Sequence, residues 1–126
     1  MHSVYFIPVV NSAGFYEIDL DYKKTQKLFY IRKNMKPDET KKCTNSDEDV
    51  GVDLNRNYDW AFALDNLGSS GNPCAEDFRG RHAFSEWATQ EMRRFIEDTT
   101  EGRTVRIALN MHSWGNLLIH PWNYLK

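Results

Sequence analysis

The stretch GVDLNRN, residues 51–57, places a carboxylate, two amides and a guanidinium close together with two apolar residues. Arg56 offers a planar fork of five donors, which fits a carboxylate through two parallel hydrogen bonds. The side chains of Asn55 and Asn57 could add neutral donors to the same anion. The pattern therefore indicates a clamp for a carboxylate-bearing ligand. The alternative is structural, because Asp, Asn and Arg in a loop also commonly cap a helix or tie a turn together.

Length and charge restrict the class of protein to which such a clamp can belong. The chain has 126 residues, of which 40% are hydrophobic and 13% aromatic, enough for one small core but not for two ordinary domains. Its formal net charge of -2 argues against the basic surface of a nucleic-acid or membrane-surface binder. No run approaches the roughly 18 apolar residues of a membrane span, and no targeting signal is visible after Met1. These features predict a small, local partner instead of nucleic acid or a membrane.

The apolar patterning predicts three strands and one long helix. Residues 4–10 form a continuous apolar run that ends in the turn residues 11–14, which is typical of a buried strand. Residues 15–42 show no sustained period, and we interpret them as a long surface loop. A helix is expected after the capping residue Ser85, with its end near residues 99–102. Its apolar face would consist of Phe84, Ala88, Met92, Phe95 and Ile96.

Two further segments downstream read as strands. Residues 104–110 alternate between apolar and polar, and residues 117–119 form a short apolar run. Strands separated by a long helix imply a right-handed crossover, and therefore an α/β sheet. Ligand sites in such sheets lie beyond the carboxyl ends of the strands, and His112 follows the 104–110 segment directly.

An ordered series of motifs surrounds the clamp. It consists of Tyr30-Ile31-Arg32-Lys33-Asn34 upstream, then Asn72-Pro73-Cys74-Ala75-Glu76, Arg79-Gly80, Phe84-Ser85-Glu86 and Asn110-Met111-His112-Ser113-Trp114 downstream. In this order the set resembles the zinc carboxypeptidases of the carboxypeptidase A and B type. The resemblance covers nearly the whole chain but only the middle of that family's catalytic domain. We therefore interpret residues 1–126 as a partial peptidase catalytic domain.

The resemblance implies both a fold and an activity. The fold class would be α/β, with part of a mixed, mostly parallel sheet covered by helices on both faces in three α/β/α layers. The activity would be that of a zinc-dependent carboxypeptidase, which releases C-terminal amino acids from peptides and proteins. Its partner would be a peptide or protein C-terminus, its cofactor Zn²⁺, and its oligomeric state a monomer.

Substrate-binding roles follow from the same resemblance. Arg32 matches the arginine that polarises the scissile carbonyl and stabilises its oxyanion, which makes it the candidate catalytic residue. Asn55 and Arg56 match the pair that holds the terminal carboxylate of the peptide. Ser113 and Trp114 would contact substrate, and Trp114 stands where the family usually has a tyrosine.

Metal-binding roles are implied only in part. Carboxypeptidase A holds zinc with two histidines and one glutamate, and His112 matches the second histidine. Asp53 matches the carboxylate that orients the first histidine. The H-x-x-E motif that supplies the first histidine and the glutamate does not occur in this chain, and the glutamate that acts as general base lies on family segments beyond Lys126. We therefore expect this chain to be an incomplete, inactive portion of such an enzyme.

The two cysteines allow two interpretations. On their own, Cys43 and Cys74 could be free thiols of a cytosolic protein, whereas the resemblance implies a disulfide between the segments before and after the clamp. Closing a loop of about thirty residues would stabilise the fold by roughly 3 to 4 kcal/mol. A disulfide would in turn indicate an oxidising compartment, either extracellular or similar to a lysosome or vacuole.

Two alternatives to the enzyme stay open at this point. One is a non-catalytic module of carboxypeptidase-like fold that binds a carboxylate or peptide through Asn55 and Arg56. The other is a structural α/β fragment. An H-x-x-E motif in the sequence ahead of Met1 would favour the enzyme, because it would complete a three-ligand site.

Overall fold

The computed structural model describes residues 3–36, 43, 50–101, 104–113 and 115–121. Within these residues the regular elements are helix α1 (Ser12–Thr25), a single 3₁₀ turn (Leu54–Arg56) and helix α2 (Trp87–Thr100). Strand-type pairing in this part of the chain amounts to one parallel bridge, between Ser70 and Phe78. The two helices are joined by irregular segments that meet around residues 51–57.

The predicted α/β class is wrong for the part of the chain that the structure describes. No sheet forms there, neither the mixed parallel sheet nor the three-layer arrangement with helices on both faces. The apolar segments predicted as strands are unpaired, and Phe6, Ile107 and Leu118 are 86%, 79% and 94% exposed. A strand is stabilised by hydrogen bonds to a neighbouring strand, and the described residues offer these segments none. Packing is slight as well, since the ring of Tyr5 meets the ring of Phe95 edge to face but Tyr5 is still 54% exposed. An apolar run marks a segment that can form a strand but does not supply its partner.

Helix α1 replaces the predicted turn and the start of the predicted surface loop. Asn11 caps it, because its Oδ1 accepts a hydrogen bond from the backbone N–H of Gly14 at 3.1 Å. At the other end, Gln26 takes the left-handed conformation and its N–H donates to the carbonyl of Tyr22. The prediction failed because a capping asparagine and a turn asparagine look alike in sequence. The helix sequence also has no sustained apolar period that would have predicted it, and its Phe15 is exposed.

The prediction of helix α2 and of the residues where it ends is confirmed. The predictions of its N-cap residue and of its apolar packing face are wrong. Glu86, not Ser85, is the residue at the N-cap, and it makes no capping hydrogen bond through its side chain. The fully buried position on the helix is Thr89, while Phe95 and Ile96 are 36% and 46% exposed. The helix therefore attaches to the rest of the described chain mainly through polar contacts near its start.

The best-buried side chains are polar. The side chains with less than 2% exposure are, by volume, Lys33, Asn57, Thr89 and Asp53. The buried apolar residues are Val52, Leu54 and Phe78. Burying polar groups is costly unless they are hydrogen-bonded, and every buried side-chain nitrogen and oxygen in the described residues has a partner. The core around residues 51–57 is therefore a satisfied polar network.

Asn57 lies at the centre of this network. Its Nδ2 donates to one side-chain oxygen and two carbonyls, namely Ser85 Oγ at 2.8 Å, the Arg79 carbonyl at 2.8 Å and the His82 carbonyl at 3.1 Å. Its Oδ1 accepts from the N–H of Glu86 at 3.2 Å and from Thr89 Oγ1 at 2.7 Å. One side chain thereby joins the clamp, the loop of residues 79–85 and the start of helix α2.

Two glycines border the clamp where a side chain would not fit. Gly51 and Gly80 have φ angles of +101° and +85°, which residues with a Cβ rarely adopt. A Cβ at Gly80 would lie 2.4 Å from Ser85 Oγ and 2.6 Å from Asn57 Nδ2. A Cβ at Gly51 would lie 2.6 Å from the backbone nitrogen of Met35. Both positions therefore require glycine for the polar network to close.

The predicted disulfide is confirmed. Cys43 and Cys74 are bonded across a sequence separation of 31, with their Cα atoms 5.4 Å apart. The same loop is held from another side, because Lys33 Nζ donates to the carbonyl of Pro73 at 2.9 Å. Lys33 itself is buried, since it is 1% exposed and its ammonium lies 6.0 Å from the centre of the Phe78 ring.

We predict that Asn57→Ala lowers the free energy of unfolding by about 3 kcal/mol or more, because several buried donors and acceptors lose their partner at once. The matched control is Asn55→Ala, two positions away and exposed, which should change the free energy by no more than about 0.5 kcal/mol. Urea unfolding of both variants measures the difference. If both variants lowered the free energy of unfolding by the same small amount, the central role of Asn57 would be contradicted.

Candidate carboxylate-binding site

The carboxylate of Asp53 is held in one position at the centre of the clamp. Its carboxylate is 3% exposed, and Oδ1 accepts a hydrogen bond from the N–H of Asn55 at 3.0 Å, which caps the 3₁₀ turn. Its own N–H donates to the carbonyl of Phe78 at 2.8 Å. Backbone and side chain are thus both held, so the second carboxylate oxygen has a defined position.

Two arginines converge on that second oxygen. Arg32 Nε donates to Asp53 Oδ2 at 3.0 Å, a charge-assisted hydrogen bond, and Arg56 Nε lies 3.8 Å from the same atom. The arginine side chains are 25% and 39% exposed, so solvent or a ligand can reach them. Among the described residues, two positive charges meet one negative charge here, so this group of side chains carries one surplus positive charge.

The guanidinium groups retain unused donors. Both contacts with Asp53 use Nε, and the terminal nitrogens of Arg32 and Arg56 make no other hydrogen bond within the described part of the chain. A guanidinium presents these donors as a rigid fork that suits a carboxylate or a carbonyl oxygen. The arrangement can therefore bind an anionic group while Asp53 holds both forks in place.

The two asparagines of the clamp have different surroundings. Asn55 is exposed next to Arg56, where its amide can reach a ligand. Asn57 has no exposed surface, and both ends of its amide bond to protein groups. The interpretation of Asn57 as a donor to the bound anion is therefore wrong, because its donors are already used inside the core.

Sequence reasoning missed two polar residues that lie behind the clamp. One of them is Glu86, which is 4% exposed. Its Oε2 accepts from Asn34 Nδ2 at 2.7 Å, and Asn34 Oδ1 accepts from the N–H of Val52 at 2.8 Å. Both residues occur inside the motifs that carry the resemblance, but no periodicity or spacing indicates that they meet.

Ring contacts connect helix α2 to Tyr58, the residue that follows Asn57. The rings of Tyr58 and Phe84 meet edge to face with centres 5.7 Å apart, and the guanidinium carbon of Arg93 lies 5.1 Å from the Phe84 ring. Burial raises the pKa of Tyr58 above its usual value. The ordered stack adds an apolar contact beside the polar network.

The metal donors are not assembled among the described residues. His112 is exposed, and the described part of the chain contains no group of three or more His, Cys, Asp or Glu side chains that could hold a metal ion. A zinc site needs at least three protein ligands, so these residues do not fit a complete site. Asp53, predicted to orient a zinc-binding histidine, bonds to arginine and to the N–H of Asn55. Ser113 is exposed beside His112, and Trp114 lies outside the described residues.

Comparison with known proteins identifies the family to which this arginine pair belongs. The family model described as zinc carboxypeptidase matches residues 2–126. This chain belongs to the zinc carboxypeptidase family. The predicted family is thereby confirmed, and the family's description implies zinc even though the described residues of this member do not assemble a zinc site.

Individual relatives are similar to this chain over 75 to 120 residues. Carboxypeptidase A1 of Mus musculus is 37% identical over 75 residues, which are 60% of this chain and 17% of that protein. Carboxypeptidase B of Helicoverpa zea is 32% identical over 120 residues, 94% of this chain and 24% of that protein. A zinc carboxypeptidase of Simulium vittatum is 32% identical over 120 residues, which are 95% of this chain and 34% of that protein. The chain thus spans about a sixth to a third of the length of these relatives. Among the described residues, no helix is long and apolar enough to cross a membrane.

We predict that the 126-residue chain retains no stoichiometric zinc after dialysis and releases no terminal amino acid from peptides. The reason is that His112 alone cannot replace a three-ligand site. Atomic absorption and a chelator-controlled peptidase assay test this, with His112→Ala as the control that should match the unchanged chain. One tightly bound zinc per chain, lost in His112→Ala, would contradict the prediction.

Proposed function

We propose that this chain is the carboxylate-binding part of a zinc-dependent carboxypeptidase that releases C-terminal amino acids from peptides and proteins. The observation that carries the proposal is the convergence of Arg32 and Arg56 on the buried carboxylate of Asp53, which leaves a net positive charge and unused donors. Membership of the zinc carboxypeptidase family supports the reaction class. We propose this activity for the whole protein, since the chain spans only about a sixth to a third of the length of its relatives.

The two arginines would serve different parts of the substrate. Arg56 and Asn55 would hold the terminal carboxylate, because a guanidinium fork with a neighbouring amide matches its two oxygens. Arg32 would bond to the carbonyl oxygen of the peptide bond and stabilise the negative charge that develops there. Recognition of a free carboxylate would explain why such an enzyme acts at chain ends.

Asp53 supports both roles by holding the arginines before the substrate arrives. A long, flexible side chain loses rotamer freedom when it binds a ligand, and an arginine already bonded to a buried carboxylate has lost much of it. The 3.0 Å bond to Arg32 and the 3.8 Å contact with Arg56 therefore pre-organise the site. The surplus positive charge also attracts the anion over a distance.

In the active protein, zinc would polarise the carbonyl and activate water. From this chain, His112 is the residue that we propose as a zinc ligand, and the adjacent Ser113 and Trp114 as substrate contacts. The orienting role predicted for Asp53 toward a zinc-bound histidine stays a prediction. The described residues do not assemble the other donors of this zinc, so no further ligand is proposed from them.

A second candidate is a non-catalytic module that binds a carboxylate or the end of a peptide. One observation favours it for the chain on its own, namely that the carboxylate donors are assembled while the metal donors are not. Both candidates share the same ligand chemistry. For both we propose an extracellular or vacuole-like location, because the disulfide between Cys43 and Cys74 is favoured in an oxidising compartment, and a monomeric state.

We predict that the chain binds N-benzoylglycine more tightly than its amide, and that Arg56→Ala weakens this carboxylate binding by about tenfold or more, since one charge-assisted contact is worth about 1.5 kcal/mol or more. Chemical-shift titration measures both affinities. The matched control is Arg94→Ala, an exposed arginine on helix α2 that pairs with Glu91 and should leave the affinity unchanged. Equal binding of acid and amide by the unchanged chain would contradict the proposal.

In an active carboxypeptidase that contains this chain, we predict that the two arginine variants fail differently. Arg56→Ala should mainly raise KM and abolish the preference for free over amidated termini. Arg32→Ala should lower kcat by about a hundredfold to a thousandfold, the usual effect of removing one oxyanion donor. Steady-state kinetics on paired free and amidated peptides decide this. A normal kcat in Arg32→Ala, or continued rejection of amides by Arg56→Ala, would show that the roles lie on other residues.

A further inference from the structure

Glu86 is a buried carboxylate that the proposed reaction does not use. It lies directly before helix α2 and is 4% exposed. Oε2 accepts a hydrogen bond from Asn34 Nδ2 at 2.7 Å, and Oε1 accepts one from Ser85 Oγ at 2.9 Å. The ammonium of Lys36 lies 3.9 Å from the same Oε2. A buried carboxylate with these charge-assisted bonds fixes the positions of the groups that donate to it.

Asn34 connects Glu86 to the segment that carries Arg32. It follows Arg32 by two positions, and its backbone N–H donates to the carbonyl of Val52 at 3.0 Å. Its side-chain Oδ1 accepts from the N–H of Val52 at 2.8 Å, so both backbone groups of Val52 are bonded to Asn34. Val52 directly precedes Asp53. Because Oδ1 is occupied by Val52, the amide must present its Nδ2 to Glu86.

Glu86 is also connected to the segment that carries Arg56. Its backbone N–H donates to Asn57 Oδ1 at 3.2 Å. Ser85 Oγ, which donates to the Glu86 carboxylate, accepts from Asn57 Nδ2 at 2.8 Å. Asn57 ends the 3₁₀ turn that contains Arg56. Any displacement of Glu86 is therefore transmitted to both arginine-bearing segments.

We propose that Glu86 is a positioning residue that sets the spacing of Arg32 and Arg56 through Asn34 and Asn57. The inference rests on the proposed function in that the two arginines contact one substrate. A misplacement of about 1 Å in such a site can lower the rate about a hundredfold, even when the change lies away from the ligand. Because Glu86 is 4% exposed, the role that we propose for it acts through these hydrogen bonds and not through the ligand.

The test exchanges donor and acceptor between the two side chains. Asn34→Asp sets a second carboxylate against Glu86, so both partners are acceptors, the hydrogen bond is lost and like charges repel. Adding Glu86→Gln restores the pairing with reversed polarity. The new amide nitrogen donates to the new carboxylate, whose other oxygen still accepts from Val52, and the amide oxygen still accepts from Ser85. Glu86→Gln alone should be mild, because the Ser85 hydroxyl can turn to accept.

Two signals of the folded chain report the spacing without any ligand. They are the nuclear magnetic resonance of the Arg32 Nε–H group, which donates to Asp53, and the hydrogen exchange of the Val52 amide. In Asn34→Asp the Arg32 signal should move toward that of an exposed arginine, and Val52 should exchange about tenfold faster or more. The double variant Asn34→Asp/Glu86→Gln should return both signals to their original values. The matched control Glu91→Gln, a partly exposed carboxylate on helix α2 that pairs with Arg94, should change neither.

Two outcomes would overturn the proposal. One is a folded Asn34→Asp variant in which both signals are unchanged, and the other is a double variant that stays as perturbed as the single one. If Asn34→Asp does not fold, thermal unfolding replaces the two signals: a folded double variant supports the proposal, and an unfolded one overturns it. Binding of N-benzoylglycine, weakened in Asn34→Asp and restored in the double variant, is the functional readout. If the unchanged chain does not bind this ligand, the proposed function fails, while the Arg32 and Val52 signals still decide the role of Glu86.

Discussion

The amide of Asn57 has no contact with water, so each of its hydrogen-bonding groups must find a partner inside the protein. It does so by joining the 3₁₀ turn of residues 54–56 to the loop of residues 79–85 and to the start of helix α2. This requirement also explains Gly80, since a Cβ there would lie 2.6 Å from the amide nitrogen. The rest of the described structure depends on this contact because few apolar side chains are buried that could hold the same segments together.

A polar core of this kind is well suited to a binding site. Hydrogen bonds are directional, so a satisfied network specifies the positions of its members more narrowly than apolar packing does. The backbone of Asp53 is hydrogen-bonded to the core, and its carboxylate contacts the guanidinium groups of Arg32 and Arg56. The surplus positive charge of the cluster is thereby presented at a defined place, with the arginines partly exposed and their common acceptor buried. The buried network and the two arginines that we propose as substrate-binding residues are thus held together by the same few residues.

Predictions that rest on residue chemistry agree better with the structure than those that rest on apolar pattern. The disulfide between Cys43 and Cys74 is present, and the motif series identified the family that the comparison established. Helix α2 was predicted close to its observed end, because its sequence has a helical period. The strands failed, because pairing depends on neighbouring segments that a local pattern cannot reveal. Helix α1 was missed, since its cap at Asn11 resembles a turn and its apolar residues follow no clear stripe.

The sequence by itself determined the family and the disulfide, and it predicted substrate-binding roles for Arg32, Asn55 and Arg56. These features are local, since each depends on residue types at particular positions. Only the tertiary structure decided that Arg32 and Arg56 share Asp53, that Asn57 is used inside the core, and that Glu86 is buried against Asn34. The reason is physical: whether a polar side chain meets solvent, a ligand or another protein group depends on which distant segments fold against it, and that is not encoded in spacing along the chain.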